Sequence, residues 1–241
     1  MKNIFYLSTL LILLVSTGCK TLYDPNTINS PMITKQGDLS LNITQKDFQV
    51  AYALNNNLGI MANGYIRNEN VTSNSNGVIT TNEKDDGYLI ETGLGYTYPL
   101  TVNLYTDIFA GAGLGQINFN VNPDNVSENR KFTCNGTKLF FQPGLFYKSD
   151  YISISTNLRL SIVSFNNPIF TNYTEQNKID DKLNEFDKQP YLFIEPGVTL
   201  FAGYKWIKLF AQVGKSFKLT DKPINNNDAI LNLGLNINFN I

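Results

Sequence analysis

The chain has 241 residues, 42% of them hydrophobic and only 16% charged, with a formal net charge of −1. So even a balance lacks the basic footprint of a nucleic-acid-binding protein, and no nucleic-acid partner is expected. Histidine is absent, which removes His-based triads and zinc sites; no cofactor and no metal are expected.

Residues 1–18 have the layout of a secretory signal. Lys2 supplies the positive start, and Ile4 to Val15 form an apolar stretch too short to span a bilayer comfortably. It ends in Val15-Ser16-Thr17-Gly18-Cys19, which resembles the lipobox of bacterial lipoproteins, although Ser16 stands where that family usually has Leu. The resemblance implies that Cys19 becomes the first residue and is acylated, making the protein a palmitate-bearing lipoprotein. Cys134 would then be the only other cysteine, and no internal disulfide is possible. Residues 19–37 follow as the lipidated Cys and a periplasmic tether. Pro25, Asn26, Asn29, Ser30 and Pro31 interrupt any periodicity there, and a flexible coil of that length reaches roughly 25 Å.

From residue 38 to 241 the chain alternates apolar and polar side chains in segments that read as strands: 38–44, 48–54, 58–67, 87–98, 102–117, 137–147, 151–165, 191–204, 206–217 and 229–241. Ten strands are expected, or eight if the first two, divided only by Gln45-Lys46-Asp47, merge or fail. The connections are of two kinds. Segments 55–57, 99–101, 148–150 and the bend at 204–206 are short. Segments 68–86, 118–136, 166–190 and 218–228 are long and rich in Asn, Asp, Ser, Thr and Lys. Short turns on one rim and long polar loops on the other are the pattern of an up-and-down antiparallel transmembrane β-barrel. With ten strands both ends of the barrel domain fall on the short-turn, periplasmic rim.

A repeat runs through these strands. Ile90-Glu91-Thr92-Gly93-Leu94, Phe141-Gln142-Pro143-Gly144-Leu145 and Ile194-Glu195-Pro196-Gly197-Val198 share one pattern, and each lies in a strand running down to a short turn. This is the mark of a duplicated hairpin.

The two faces of the strands differ in composition. One carries Ile152, Ile154, Leu158, Leu160 and Ile162, or Leu231, Leu233, Leu235, Ile237 and Phe239, nearly without charge, as a lipid-facing surface requires. Lys215 is the exception, near a loop end where its stem can snorkel. Tyr96, Tyr98, Tyr147, Tyr151, Tyr204 and Trp206 lie beside short turns, where an aromatic girdle belongs. The other face mixes Gly, Ser, Phe and Tyr with charges of both signs, which suits a narrow filled lumen.

The signal, the hairpin meander with Gly-rich strands such as Phe109-Ala-Gly-Ala-Gly-Leu-Gly115, and the closing strand with Phe239 near its end resemble the small outer-membrane barrels of the opacity-protein and OmpA-like type. The resemblance implies a fold and a location, the bacterial outer membrane, with outer-membrane lipids and the barrel-assembly and lipoprotein-sorting machineries as partners. Ile241 departs from the terminal Phe that is commoner in that class.

The candidate site is luminal: Arg67, Glu91, Asp107, Lys138, Arg159, Glu195 and Lys208 all have inward parity, and burial demands that such charges pair. They are expected to form a structural network or, alternatively, the selectivity lining of a narrow ion or small-solute channel. In loop 166–190, Ile179, Leu183 and Phe186 at helical spacing suggest a short amphipathic lid. The acidic residues Asp85, Asp86, Asp180, Asp181 and Glu185 are expected to be solvated. The function expected is a non-enzymatic, structural or surface-recognition role through the long loops, with its surface ligand undefined. The alternatives are the narrow channel and an anchored lipocalin-like ligand-binding barrel.

Overall fold

Alternation of period two puts one set of side chains on each side of a strand. In the computed structural model the alternating segments pair in sequence order into one closed antiparallel sheet. The structure describes residues 21–241 except 76–77, 124–128, 185, 222–223 and 225. The signal segment, Cys19 and Glu185 therefore lie outside the described residues.

Among the described residues the strands are β1 (Asp38–Thr44), β2 (Asp47–Ala53), β3 (Leu58–Ser75), β4 (Val78–Pro99), β5 (Leu104–Pro123), β6 (Arg130–Tyr147), β7 (Ile152–Thr171), β8 (Tyr191–Tyr204), β9 (Ile207–Lys215), β10 (Phe217–Lys218) and β11 (Ala229–Asn240), with one short helix, α1 (Glu175–Asp180). The two residues of β10 continue the line of β9 along β8. The ring therefore has ten staves. It closes where β11 pairs with β1, from Asp38 opposite Asn240 to Thr44 opposite Gly234. The first strand exists, and β2 beside it is separate, so the eight-strand alternative falls.

The wall has two heights. β3 to β7 are 18, 22, 20, 18 and 20 residues long, whereas β8, β9, β11, β1 and β2 have 14, 9, 12, 7 and 7. A tilted strand crosses a bilayer in about 9–11 residues, so the tall side projects beyond the apolar belt. Much of 68–86 and 118–136, together with 166–171, is therefore paired strand and not loop. The sequence hides this because above the belt the outward face turns polar while Phe119, Phe132 and Cys134 point into the mouth, so the apolar parity inverts along β5 and β6. There Asn118 donates to Asp86 at 2.9 Å, Thr133 to Asn118 at 2.9 Å and Gln116 to Asn135 at 3.2 Å, a polar ladder on the outer surface.

Below it the outward positions are apolar. Leu94, Leu114, Leu139, Ile154, Leu200, Leu209 and Leu233 are all exposed, as are Tyr96, Tyr98, Tyr147, Tyr151, Tyr204 and Trp206 at the short-turn end. The inward set is buried: Phe109, Phe193 and Phe201 have no exposed surface. Glycines make room for such rings. A Cβ on Gly234 would come within 2.6 Å of Phe210, and one on Gly111 within 2.6 Å of Phe140.

What fills the rest of the lumen is the N-terminal segment. Residues 22–23 and 25–33 are buried inside the barrel, so the expectation of a free periplasmic tether over 19–37 is corrected for the described part. The prolines and asparagines that break periodicity do so because this stretch is neither coil in water nor strand in a sheet. Its side chains and backbone are matched individually to the wall. The turn from the segment into β1 is made at Gly37, whose φ of 84° favours glycine; an added Cβ would also strike the Ile241 carbonyl.

Candidate functional site

The lumen is layered, and each layer grips the threaded segment differently. At the short-turn end Met32 packs with Phe146, Phe201 and Phe210, and Ile33 with Ala51, Ala53, Met61, Phe109 and Phe140. Asp38 seals this end, accepting from Thr34 N at 2.9 Å and from Lys148 at 3.2 Å, while Lys148 also donates to the Met32 carbonyl at 2.9 Å.

Above the apolar base lies a layer of amides and hydroxyls. Gln212 accepts from Ile28 N and donates to Ile28 O, both at 2.8 Å. Gln142 donates to Asn29 O at 2.8 Å, Asn29 to Asn63 at 2.7 Å, and Asn157 to Ser30 at 2.9 Å. With Gln49 donating to Thr27 O at 2.8 Å, three wall glutamines satisfy the backbone of a segment that has no sheet partner there, as burial requires.

The charged layer is next. Arg67, Glu91, Lys138, Arg159 and Glu195 stand seven to nine residues from the short-turn ends of their strands, at Leu58, Pro99, Tyr147, Ile152 and Tyr204 respectively. Arg159 and Glu195 are direct cross-strand neighbours and bond at 2.6 Å. Glu91 and Lys138 are separated by β5, where Gly113 opposes both. Their 3.0 Å ion pair crosses above the missing side chain.

Asn26 of the threaded segment sits between these pairs. Its Nδ2 donates to Glu91 at 2.6 Å, its Oδ1 accepts from Lys138 at 3.0 Å, and its carbonyl accepts from Arg159 at 2.9 Å. Tyr23 donates its hydroxyl proton to Glu195 at 2.8 Å. Arg67 pairs with Asp85 at 2.9 Å and donates to the Thr21 carbonyl.

Five of the seven luminal charges expected from the sequence thus line this middle and upper part of the lumen, four of them meeting around Asn26. The other two do not join it. Lys208 lies at the base, held by Ser153 at 2.9 Å and by the Ser149 carbonyl. Asp107, also low and buried, has an Oδ1 with no hydrogen-bond partner among the described residues, as has Asn157 Oδ1. An added Cβ on Gly144 would collide with both oxygens.

Sequence reasoning missed Asp47, which was read only as part of a divider; it is buried and accepts from Thr27 Oγ1 at 2.6 Å and from Thr27 N at 3.2 Å. It also missed Asn26, Tyr23, Gln142 and Gln212. The signal that could have found them is the hairpin repeat. Its Glu91, Gln142 and Glu195 are the residues that bind Asn26, Asn29 O and Tyr23, and its Gly197 clears space for Ile28.

The long-loop mouth is closed by an aromatic cap. Leu22 and Tyr23 pack with Phe119, Phe132, Cys134, Phe165, Leu183, Phe186, Tyr191, Phe193 and Ile224. Leu183 and Phe186 do enter the mouth, but the helix expected through 179–186 is corrected: α1 ends at Asp180, and Ile179 is 53% exposed. The N-cap Thr174 fixes this start by accepting from Asn177 N, which places Ile179 away from the cap. Asp85 is likewise not solvated but buried against Arg67. Beside the thread a void of about 60 Å³ remains between Tyr23, Asp24, Arg67 and Lys138, space for a few waters rather than for a solute. Among the described residues no three His, Cys, Asp or Glu side chains come together in a way that could hold a metal ion.

No family model matches this chain, and no curated protein matches it. Among solved structures it is similar to the translocator domain of autotransporter NalP from Neisseria meningitidis, with a TM-score of 0.45 and 10% identity over 84% of this chain and 86% of that one.

Proposed function

We propose that the protein is a non-enzymatic outer-membrane β-barrel lipoprotein, acylated at Cys19, whose lumen is permanently closed and whose role is structural or recognitive at the long-loop rim. The observation that carries this reading is the threaded segment. It fills the lumen through apolar, amide and charged layers, so that Glu91 with Lys138 and Arg159 with Glu195 neutralise one another and are hydrogen-bonded by Asn26 and Tyr23 instead of lining an open pore. The membrane setting rests on the outward belt. Leu, Ile and aromatic side chains are exposed on every long strand below the polar ladder, an arrangement whose hydrocarbon contact suits lipid and not water. It also argues against a lipocalin-like carrier, which would turn that face inward.

Purified full-length protein in planar bilayers is expected to show no steady conductance. A steady large conductance would overturn the closed lumen and favour the narrow channel. Incubation with labelled lipids or peptides is expected to give no turnover, and turnover would end the non-enzymatic reading. Deletion of segment 172–190, scored by adhesion of whole cells to surfaces and to other cells, is expected to reduce binding. Unchanged binding after deletion of each long loop would remove the recognition role.

A further inference from the structure

The threaded segment has a direction, and that direction decides on which side of the membrane the N-terminus emerges. At residue 34 the chain is at the short-turn rim, where Thr34 is tied to Asp38 and Lys148 reaches Met32 O from the β6–β7 turn. Followed toward the N-terminus it rises through the amide layer at Ser30 to Ile28 and the charged layer at Asn26. At Tyr23 it meets the long β10–β11 connection: the Tyr23 carbonyl accepts from Asn227 N at 2.9 Å, and Tyr23 bridges Asn226. Leu22 lies in the aromatic cap, and Thr21 O is held by Arg67. The fourteen residues from Thr21 to Thr34 have a maximum reach of about 46–50 Å, ample for an apolar band of about 25 Å. The chain therefore crosses the whole belt inside the wall.

We propose that the segment upstream of Thr21 leaves the barrel at the long-loop rim, so that the acylated Cys19 is anchored in the cell-surface leaflet and not in the periplasmic one. This rests on the reading that Cys19 is acylated and on the barrel orientation that long loops set. Only Lys20 separates Cys19 from Thr21, and two residue steps reach about 7 Å at most. No path back to the periplasmic leaflet fits within that length. The rim is lowest where β1 and β2 end at Thr44 and Asp47, and there a groove of about 350 Å³ runs from Asp24 and Pro25 to Leu231 and Leu233 on the outer face. Acyl chains leaving the mouth reach lipid most directly on this side. The wall must also close around a segment already in place, because an acylated end of the chain cannot be drawn through a lumen this filled. The lipid and the barrel thus pin one another: neither leaves the membrane without the other.

The test uses the full-length chain with a specific protease site and an epitope inserted between Lys20 and Thr21, Cys19 retained, and cells fed radioactive palmitate. On intact cells the epitope is expected to be detected and the protease to separate the label from the barrel as completely as on permeabilised cells. Cleavage and detection only after permeabilisation would overturn the proposal. Absence of label with a surface-accessible epitope would support the exit at the long-loop rim and refute the acylation separately. Threading is read independently, without the insert, by Ser30→Cys with Thr199→Cys in a Cys134→Ala chain, since the two hydroxyl oxygens lie 3.3 Å apart. A reductant-sensitive mobility shift is expected in assembled barrels, and its absence would overturn the threaded path.

Discussion

The base and the charged layer of the lumen hold the same segment by opposite means. At the base, Met32 among Phe146, Phe201 and Phe210 is kept by volume and loss of apolar surface to water, a non-directional attraction that tolerates related shapes. In the charged layer every contact is directional, and the segment is needed by the wall as much as the wall by the segment. Without Asn26 and Tyr23 the carboxylates of Glu91 and Glu195 keep their ion pairs but lose hydrogen bonds they accept in a buried site. A barrel too narrow for a water column thus has two ways to close, and this one uses both in series. The apolar plug supplies stability; the charged layer supplies register, because shifting the thread by one residue would break several hydrogen bonds at once while leaving the amount of apolar burial nearly unchanged.

That contrast is sharpest in what single substitutions do. Arg159→Ala leaves Glu195 as an uncompensated buried charge and is expected to cost about 3–5 kcal/mol, read as a lowered urea midpoint of heat-modifiable migration. Arg159→Met together with Glu195→Leu should recover most of it; no recovery would mean that the pair stabilises beyond mutual neutralisation. Met32→Ala at the base should cost about 2–4 kcal/mol, set by how far the surrounding rings collapse, and Met32→Leu less than about 1.5 kcal/mol. A base as intolerant of Leu as the charged layer is of Ala would erase the distinction. Gln142→Leu removes the donor to the Asn29 carbonyl and should cost about 1–3 kcal/mol, measured by the same midpoint. The smallest effect belongs to Lys215→Ala on the outer face. Its ion pair with Asp228 at 3.3 Å is half exposed on both sides, so less than about 1 kcal/mol is expected, and a larger loss would show that this edge is not at the water interface.

The alternation of 38–44 and 229–241, together with the sorting of connections into short and long, contained the ring, its antiparallel order and its two faces. Inward and outward residues were legible because a period of two leaves no freedom once one face is known. The heights of the walls were not legible. Above the belt β4 is polar on both faces around Asp85, and in β5 the apolar parity inverts, with Phe119 inward and Asn118 outward, so strand continuation there depends on pairing with a neighbour already in register, a long-range effect with no local signature.

The site shows the same division. Parity alone picked out Arg67, Glu91, Lys138, Arg159 and Glu195 as inward, because a charge on the other face would sit in hydrocarbon. Parity could not tell which of them meet. That Glu91 reaches Lys138 across Gly113, while Lys208 is left to the carbonyl of Ser149 and Asp107 to the edge of Gly144, is set by stagger and strand tilt. The conformation of 21–34 was the least legible of all. Its Asn, Thr, Ser and Pro residues satisfy the same composition rule as a solvated linker, and only a lumen lined with complementary Glu, Gln and Lys side chains makes burying them favourable. What the sequence by itself determined is the wall, since its pattern answers to two solvents and can be read one strand at a time. What only the tertiary structure decided is what fills the wall, since a buried polar segment is defined by its partners, and those partners come from eight different strands.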